Sequence, residues 1–195
     1  MKLLLKLSGM VDALNEYTGR IIMWLILVAV FLSAGNAIAR KAFRVGSNAL
    51  IDMQWYLFSG VFLLGAGYVF LKNIHVRIDF VSSRLTPRAR SWIDIIGIIV
   101  FLLPFCVILI RMSWPLFFNA WQSGEMSQNA GGLIRWPAYL LLPSGMILLL
   151  LQSISELIKR FAFLRGLIPD PLAHVQEEKQ SSGKNESDKS ALETS

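Results

Sequence analysis

Four apolar runs, each nineteen residues long and almost free of charge, constrain this chain more than any other feature. They are residues 21–39, 53–71, 92–110 and 137–155, and only the third holds an ionisable side chain, Asp94 near its start. A helix of that length covers about 28 Å at about 1.5 Å per residue, close to the hydrocarbon thickness of a bilayer. Backbone amides cannot be left bare in lipid, so each run has to be helical. The fold expected is an all-α membrane protein, with four transmembrane helices in residues 1–165. The tail, 166–195, is Lys-, Glu- and Ser-rich from Gln176 onward and has no apolar period, so it is expected to be largely disordered.

Composition agrees with the runs. The chain is 54% hydrophobic and 16% charged, with mean hydropathy +0.53, whereas a soluble domain needs more charge to cover its surface. Nineteen Lys and Arg against thirteen Asp and Glu would suit nucleic acid, but these charges flank the apolar runs, as anchors in lipid headgroups do. Membrane lipid is therefore the expected surroundings, and nucleic acid is not an expected partner. The one cysteine, Cys106, lies inside an apolar run and forms no intrachain disulfide.

Orientation follows from the basic residues. With the N-terminus in the cytoplasm, the inner segments hold eleven Lys and Arg and the outer loops five, which places both termini inside. Ala37-Ile38-Ala39 has the small-residue look of a signal-peptidase site. A nineteen-residue apolar run preceded by twenty residues is too long for a cleaved signal, and a membrane anchor is expected instead. Thr86-Pro87 reads as an N-cap followed by proline at the first helical position. Ser47 and Asn48 are candidate caps for the second helix, with Asp52 in its early turns. Pro104 and Pro143 fall inside runs and should kink them.

An active site or transport path in lipid needs ionisable groups at mid-span, and these runs supply almost none. Asp94 follows Arg90 by four residues, so an ion pair along one helix face is expected, ahead of an ion or proton site. Asp12 and Glu16 precede the first run. His75 and His174 lie outside the runs, so they cannot ligate haem at mid-helix. No Cys/His cluster has metal-ligand spacing and no Gly-rich phosphate loop is present, so no metal, cofactor or catalytic group is expected.

Packing signals are richer. Ala29, Ser33 and Ala37 recur every fourth residue on the first helix, with Gly35 and Ala39 beside them. Gly60 and Gly67 are seven apart on the second, and Asn36 can hydrogen-bond across an interface. Such small residues admit a neighbouring backbone, either within the bundle or from a partner. Between the third and fourth runs, Trp114, Phe117, Phe118 and Trp121 form an i, i+3, i+4, i+7 stripe. With Pro115 positioned to begin a new helix, a short amphipathic helix lying along the outer interface is expected there.

Two stretches carry a family resemblance. Asp52-Met53-Gln54-Trp55-Tyr56-Leu57-Phe58 leads through Gly65-Ala66 to Asn73-Ile74-His75-Val76-Arg77-Ile78-Asp79. Ahead of the last run stands Asn129-Ala130-Gly131-Gly132-Leu133-Ile134-Arg135-Trp136-Pro137. From about Asp12 to Arg165 the chain resembles the small permease subunit of tripartite ATP-independent periplasmic (TRAP) transporters. His75, Arg77 and Asp79 are its most specific part, while the family often has glutamate at the place of Asp52 and a charged or polar residue at that of Ile74. The resemblance implies a bacterial inner-membrane location and two partners: a large permease subunit working by a sodium-coupled elevator motion, and a periplasmic substrate-binding protein that delivers an organic acid. It also implies a non-catalytic scaffold role. Placed directly after the second run, where the backbone leaves lipid, His75, Arg77 and Asp79 are expected to form a structural clamp in the cytoplasmic loop. The alternative from the residues alone is a small oligomeric channel or exporter, for which Asp94 is the one candidate conducting group. A membrane enzyme has no residues to support it.

Overall fold

The computed structural model describes residues 2–43, 47–72 and 86–167. Helix α1 runs Lys2–Phe43 and α2 Asn48–Leu71. The third span is built of α3, Pro87–Gly97, a π turn over Ile98–Leu102, and α4, Leu103–Ser123. The last helix, α5, is Trp136–Leu164. Four helices among the described residues are long and apolar enough to cross a membrane. Each extends beyond its apolar run, α2 on its N-terminal side only, since it ends with the run at Leu71. Residues 73–85, with His75, Arg77 and Asp79, and the tail from 168 lie outside the described residues.

Local chemistry explains the helix ends and irregularities. Thr86 caps α3 as expected, its Oγ1 accepting from the Ala89 N–H at 3.4 Å, with Pro87 next in line. Ser47 occupies the N-cap of α2 but makes no side-chain cap bond, and Asn48 turns away to donate to the Ala130 carbonyl at 3.0 Å. The π turn ends just before Pro104, which has no N–H to give Val100, and the Leu103 N–H reaches Ile98 instead. Pro143 sits buried inside α5, where the Ser144 hydroxyl donates to the Leu140 carbonyl at 2.8 Å, binding the turn that the proline loosens.

The separate interfacial helix is not what forms. Residues Leu103–Ser123 are one helix with Pro115 inside it, so Trp114, Phe117, Phe118 and Trp121 belong to its last turns. Ser113 and Ala120 stay buried as α4 continues, and the edge of Trp121 meets Trp136 at the start of α5, ring centroids 4.6 Å apart. That contact rewards continuation, and Ser113 supplies a hydroxyl to the Ile110 carbonyl in the turn before the proline. The helix ends at Gly124, whose φ of 62° is left-handed.

Helix α5 is the hub. It packs on α2, on α4 and on α1, while α1 and α2 pair with each other. Cys106, Met146 and Leu149 form the apolar centre. Gly145 lets α5 touch the α2 backbone, since a Cβ there would come 2.5 Å from the Leu63 carbonyl oxygen. Gly60 faces Leu141 of α5, and Gly67 faces both Asn15 of α1 and Leu148 of α5. Along α1, Ala29 is buried, Ser33 and Asn36 are half-buried and Ala37 is exposed. The outer faces of α1 and the third span carry exposed Leu, Ile, Val, Phe and Trp, as surfaces meant for lipid or protein do.

Candidate functional site

Polar side chains gather at the two ends of this bundle. At the end formed by the start of α1 and the close of α5, Ser8, Asp12 and Asn15 occupy one face of α1 at spacings of four and three. They meet Gln152, Ser155, Glu156 and Lys159 on α5, which share a face by the same helical period. Asn15 Nδ2 donates to Gln152 Oε1 at 2.9 Å, and Gln152 Nε2 donates in turn to Asp12 Oδ1 at 2.9 Å. Ser155 Oγ donates to the same carboxylate at 3.0 Å, and the Ser8 and Ser155 hydroxyls lie 2.6 Å apart. Lys159 Nζ bridges Asp12 at 2.9 Å and Glu156 at 2.7 Å. Arg160, only 2% exposed, pairs with Asp94 of α3 and lies 3.8 Å from Glu156.

The network ties three of the four spans together. Each ionisable side chain in it has an oppositely charged partner close by, as burial of such groups requires. Arg160 of α5 reaches Asp94, an interhelical contact beyond the pairing with Arg90 that spacing along one helix suggests. Asn15 Oδ1 has no hydrogen-bond partner and lies against Gly67, where any Cβ would collide with it. Thus Gly67 both admits α1 and leaves that oxygen only a weak Cα–H donor.

The opposite end is organised by one carboxylate. Asp52, buried near the start of α2, accepts from Asn129 Nδ2 at 2.9 Å through Oδ1 and from the Leu133 N–H at 3.2 Å through Oδ2. Around it the loop from Ser123 to Trp136 folds back on itself: the Ser127 N–H meets the Leu133 carbonyl at 2.8 Å and the Gly132 N–H meets the Asn129 carbonyl at 2.9 Å. Gly131 takes φ 73°, which a side chain would strain, and a Cβ on Gly132 would stand 2.6 Å from Asp52 Oδ2. Asn48 and Tyr56, from the same face of α2, hold the Ala130 and Ile134 carbonyls at 3.0 and 3.2 Å. Arg135 and Glu125 close the loop's base with a 2.6 Å ion pair, and that hydrogen bond raises the Arg135 pKa above its ordinary value.

The sequence motifs therefore meet in space. Asp52, Trp55, Asn129 and Arg135 line one polar cleft of about 340 Å³, with Gly131, Gly132 and Trp136 shaping its loop. Gln54 points elsewhere, into a cavity of about 450 Å³ shared with Ser33, Asn36 and Ala37 between α1 and α2. The other cluster, Ser8 to Arg160, was not singled out among the sequence signals. Its trace in the sequence is the polar residues at 152, 155, 156, 159 and 160, a helical stripe that starts in the last turn of the last apolar run and continues past it. Among the described residues no group of three His, Cys, Asp or Glu is placed to hold a metal ion.

No curated protein and no solved structure matches the chain. A family model, that of the tripartite ATP-independent periplasmic transporters, DctQ component, matches residues 26–163, a stretch that takes in all of α2 to α4, the Asp52-bound loop and most of α5. A multi-pass bundle whose polar groups are spent on joining its own helices, matched over most of its length by that model, belongs to the DctQ family of TRAP transporter components.

Proposed function

We propose that this chain is the non-catalytic small permease subunit of a TRAP-type secondary transporter in the bacterial inner membrane. It scaffolds and stabilises the large elevator-type subunit during sodium-coupled uptake of an organic acid delivered by a periplasmic binding protein. Both termini face the cytoplasm in this reading, so the Asp52-held loop faces the periplasm and the Asp12–Arg160 network lies at the cytoplasmic boundary. The observation that carries the scaffold role is the network itself: its carboxylates and cations are engaged with one another across three spans. Charges committed in this way brace a bundle and are poorly suited to binding and releasing an ion at each cycle.

Reconstitution tests the reading. In proteoliposomes under an inward sodium gradient, the chain alone should take up no radiolabelled organic acid from a panel of mono- and dicarboxylates. Uptake of one of them should appear when the large subunit and the binding protein are added. Gradient-driven uptake by the chain alone, after all other subunits are removed, would overturn the scaffold role in favour of a self-contained transporter.

A further inference from the structure

Between α1 and α2, at the loop end of the bundle, lies a polar recess of about 450 Å³. Ser33, Asn36, Arg40 and Lys41 line it from α1, and Ile51 and Gln54 from α2. Ser33 and Asn36 belong to the first apolar run and Gln54 to the second, so the floor of the recess stands just inside the hydrocarbon boundary. Arg40 and Lys41 follow the first run directly and form its rim at headgroup level.

Floor and rim are short of different partners. A polar side chain at that depth has no bulk water to turn to and needs a partner from its surroundings. No hydrogen bond joins Asn36 to Gln54 among the described residues, and Asn36 Oδ1 is buried without a partner. The floor therefore lacks an O–H or N–H donor. At the rim, neither Arg40 nor Lys41 forms an ion pair with a described residue. In the two polar clusters described above, Lys159, Arg160 and Arg135 each meet a carboxylate. The lining of this recess holds two cations and no carboxylate, so the rim lacks an anion.

Water would supply a donor but no charge. Inorganic phosphate would supply a charge, but it has no apolar body to hold it at the edge of hydrocarbon. A phospholipid meets both needs, because its phosphodiester lies at the level of Arg40 and Lys41. Exposed Val30 and Phe58 continue the two walls toward the membrane centre at helical spacing, as apolar surface for its chains. Two cations favour a lipid of net negative charge, and the unmet amide oxygen favours a headgroup that carries a hydroxyl.

We infer that the recess binds an anionic phospholipid of the phosphatidylglycerol class. The phosphodiester lies between Arg40 and Lys41, a headgroup hydroxyl donates to the Asn36 carboxamide oxygen, and the acyl chains descend along Val30 and Phe58. In the topology proposed above this lipid belongs to the periplasmic leaflet. The site needs only that this end of the bundle meet a membrane surface, so it stands apart from the subunit reading.

The test uses the full-length chain, delipidated in a neutral detergent, with single lipids added and bound adducts counted by native mass spectrometry. Phosphatidylglycerol should give one persistent adduct, whereas phosphatidylcholine and inorganic phosphate should not. Arg40→Gln with Lys41→Gln should weaken that adduct about thirtyfold. The lipid-free variant should melt with the wild-type chain, because both side chains are exposed. The same loss of charge at the other end of the bundle, Arg88→Gln with Arg165→Gln, should leave the adduct as in wild type. Phosphatidylmethanol, with equal charge and no headgroup hydroxyl, should bind about fivefold more weakly than phosphatidylglycerol to the wild-type chain and equally well to Asn36→Leu. Equal binding of phosphatidylglycerol and phosphatidylcholine, or equal losses in the two double variants, would overturn the site, since charge anywhere on the bundle would then suffice. Inorganic phosphate binding as tightly as phosphatidylglycerol would overturn the lipid as its occupant. Equal binding of phosphatidylmethanol and phosphatidylglycerol to the wild-type chain would overturn the choice of headgroup.

Discussion

The two ends of the bundle solve the same problem, burying polar atoms at the edge of an apolar interior, with different chemistry. At the Ser8–Arg160 end, full charges of both signs are packed between helices, and Glu156 and Arg160 are each 2% exposed. At the loop end a single carboxylate, Asp52, is served by neutral donors of a tight loop, and the ion pair there between Arg135 and Glu125 is considerably more open. The first arrangement joins spans to spans, and the second joins a loop to a span. Loss of an ion-pair partner should therefore be damaging at the first end and nearly silent at the Arg135–Glu125 pair of the second, whereas loss of space should damage the second.

The largest effect is expected from Arg160→Ala. It takes the buried guanidinium from Asp94, while Glu156 keeps Lys159, and should cost about 3–5 kcal/mol and lower the detergent melting temperature sharply. Replacing the pair together, Arg160→Met with Asp94→Leu, should recover much of that loss, because a buried ion pair exchanged for apolar packing is often neutral. If the double variant melts no higher than the single, the pair is not the energetic unit described here. A smaller loss, about 1–3 kcal/mol, is expected from Gly132→Ala, whose methyl group would push into Ser127 and Asp52. Enhanced proteolysis of the loop at unchanged far-ultraviolet helicity would locate the damage; wild-type melting and proteolysis would mean that the loop is not clamped. The smallest effect belongs to Glu125→Gln. Its partner is a solvent-reached surface arginine, so the melting temperature should match wild type within error. A loss as large as that of Arg160→Ala would erase the contrast between the ends.

Why α4 ran on through Pro115 shows where local reading stops. A proline five residues past the end of an apolar run is equally a helix start or a tolerated interruption, and the choice fell to Trp136, twenty-one residues later, which packs on Trp121. Asp94 makes the same point: its own helix offers Arg90, and only the fold brings Arg160 to it from α5. Asp52 had a local role available at its helix N-terminus and spends its oxygens on the 129–133 loop as well.

The sequence by itself determined that there are four membrane-capable helices, roughly where they lie, and that their interiors hold little charge. Hydrophobic length and charge placement are properties of single segments, and lipid enforces them segment by segment. The same holds for Thr86 as a cap and for a loop rich in glycine before the last helix. Only the tertiary structure decided which helix is the hub, which glycines admit a neighbour, and which polar residues meet. Ser8, Asp12 and Asn15 lie some 140 residues from their partners on α5. Pairings at that separation depend on how helices cross, and crossing is set by the fit of side chains from both partners, a quantity that neither segment carries alone.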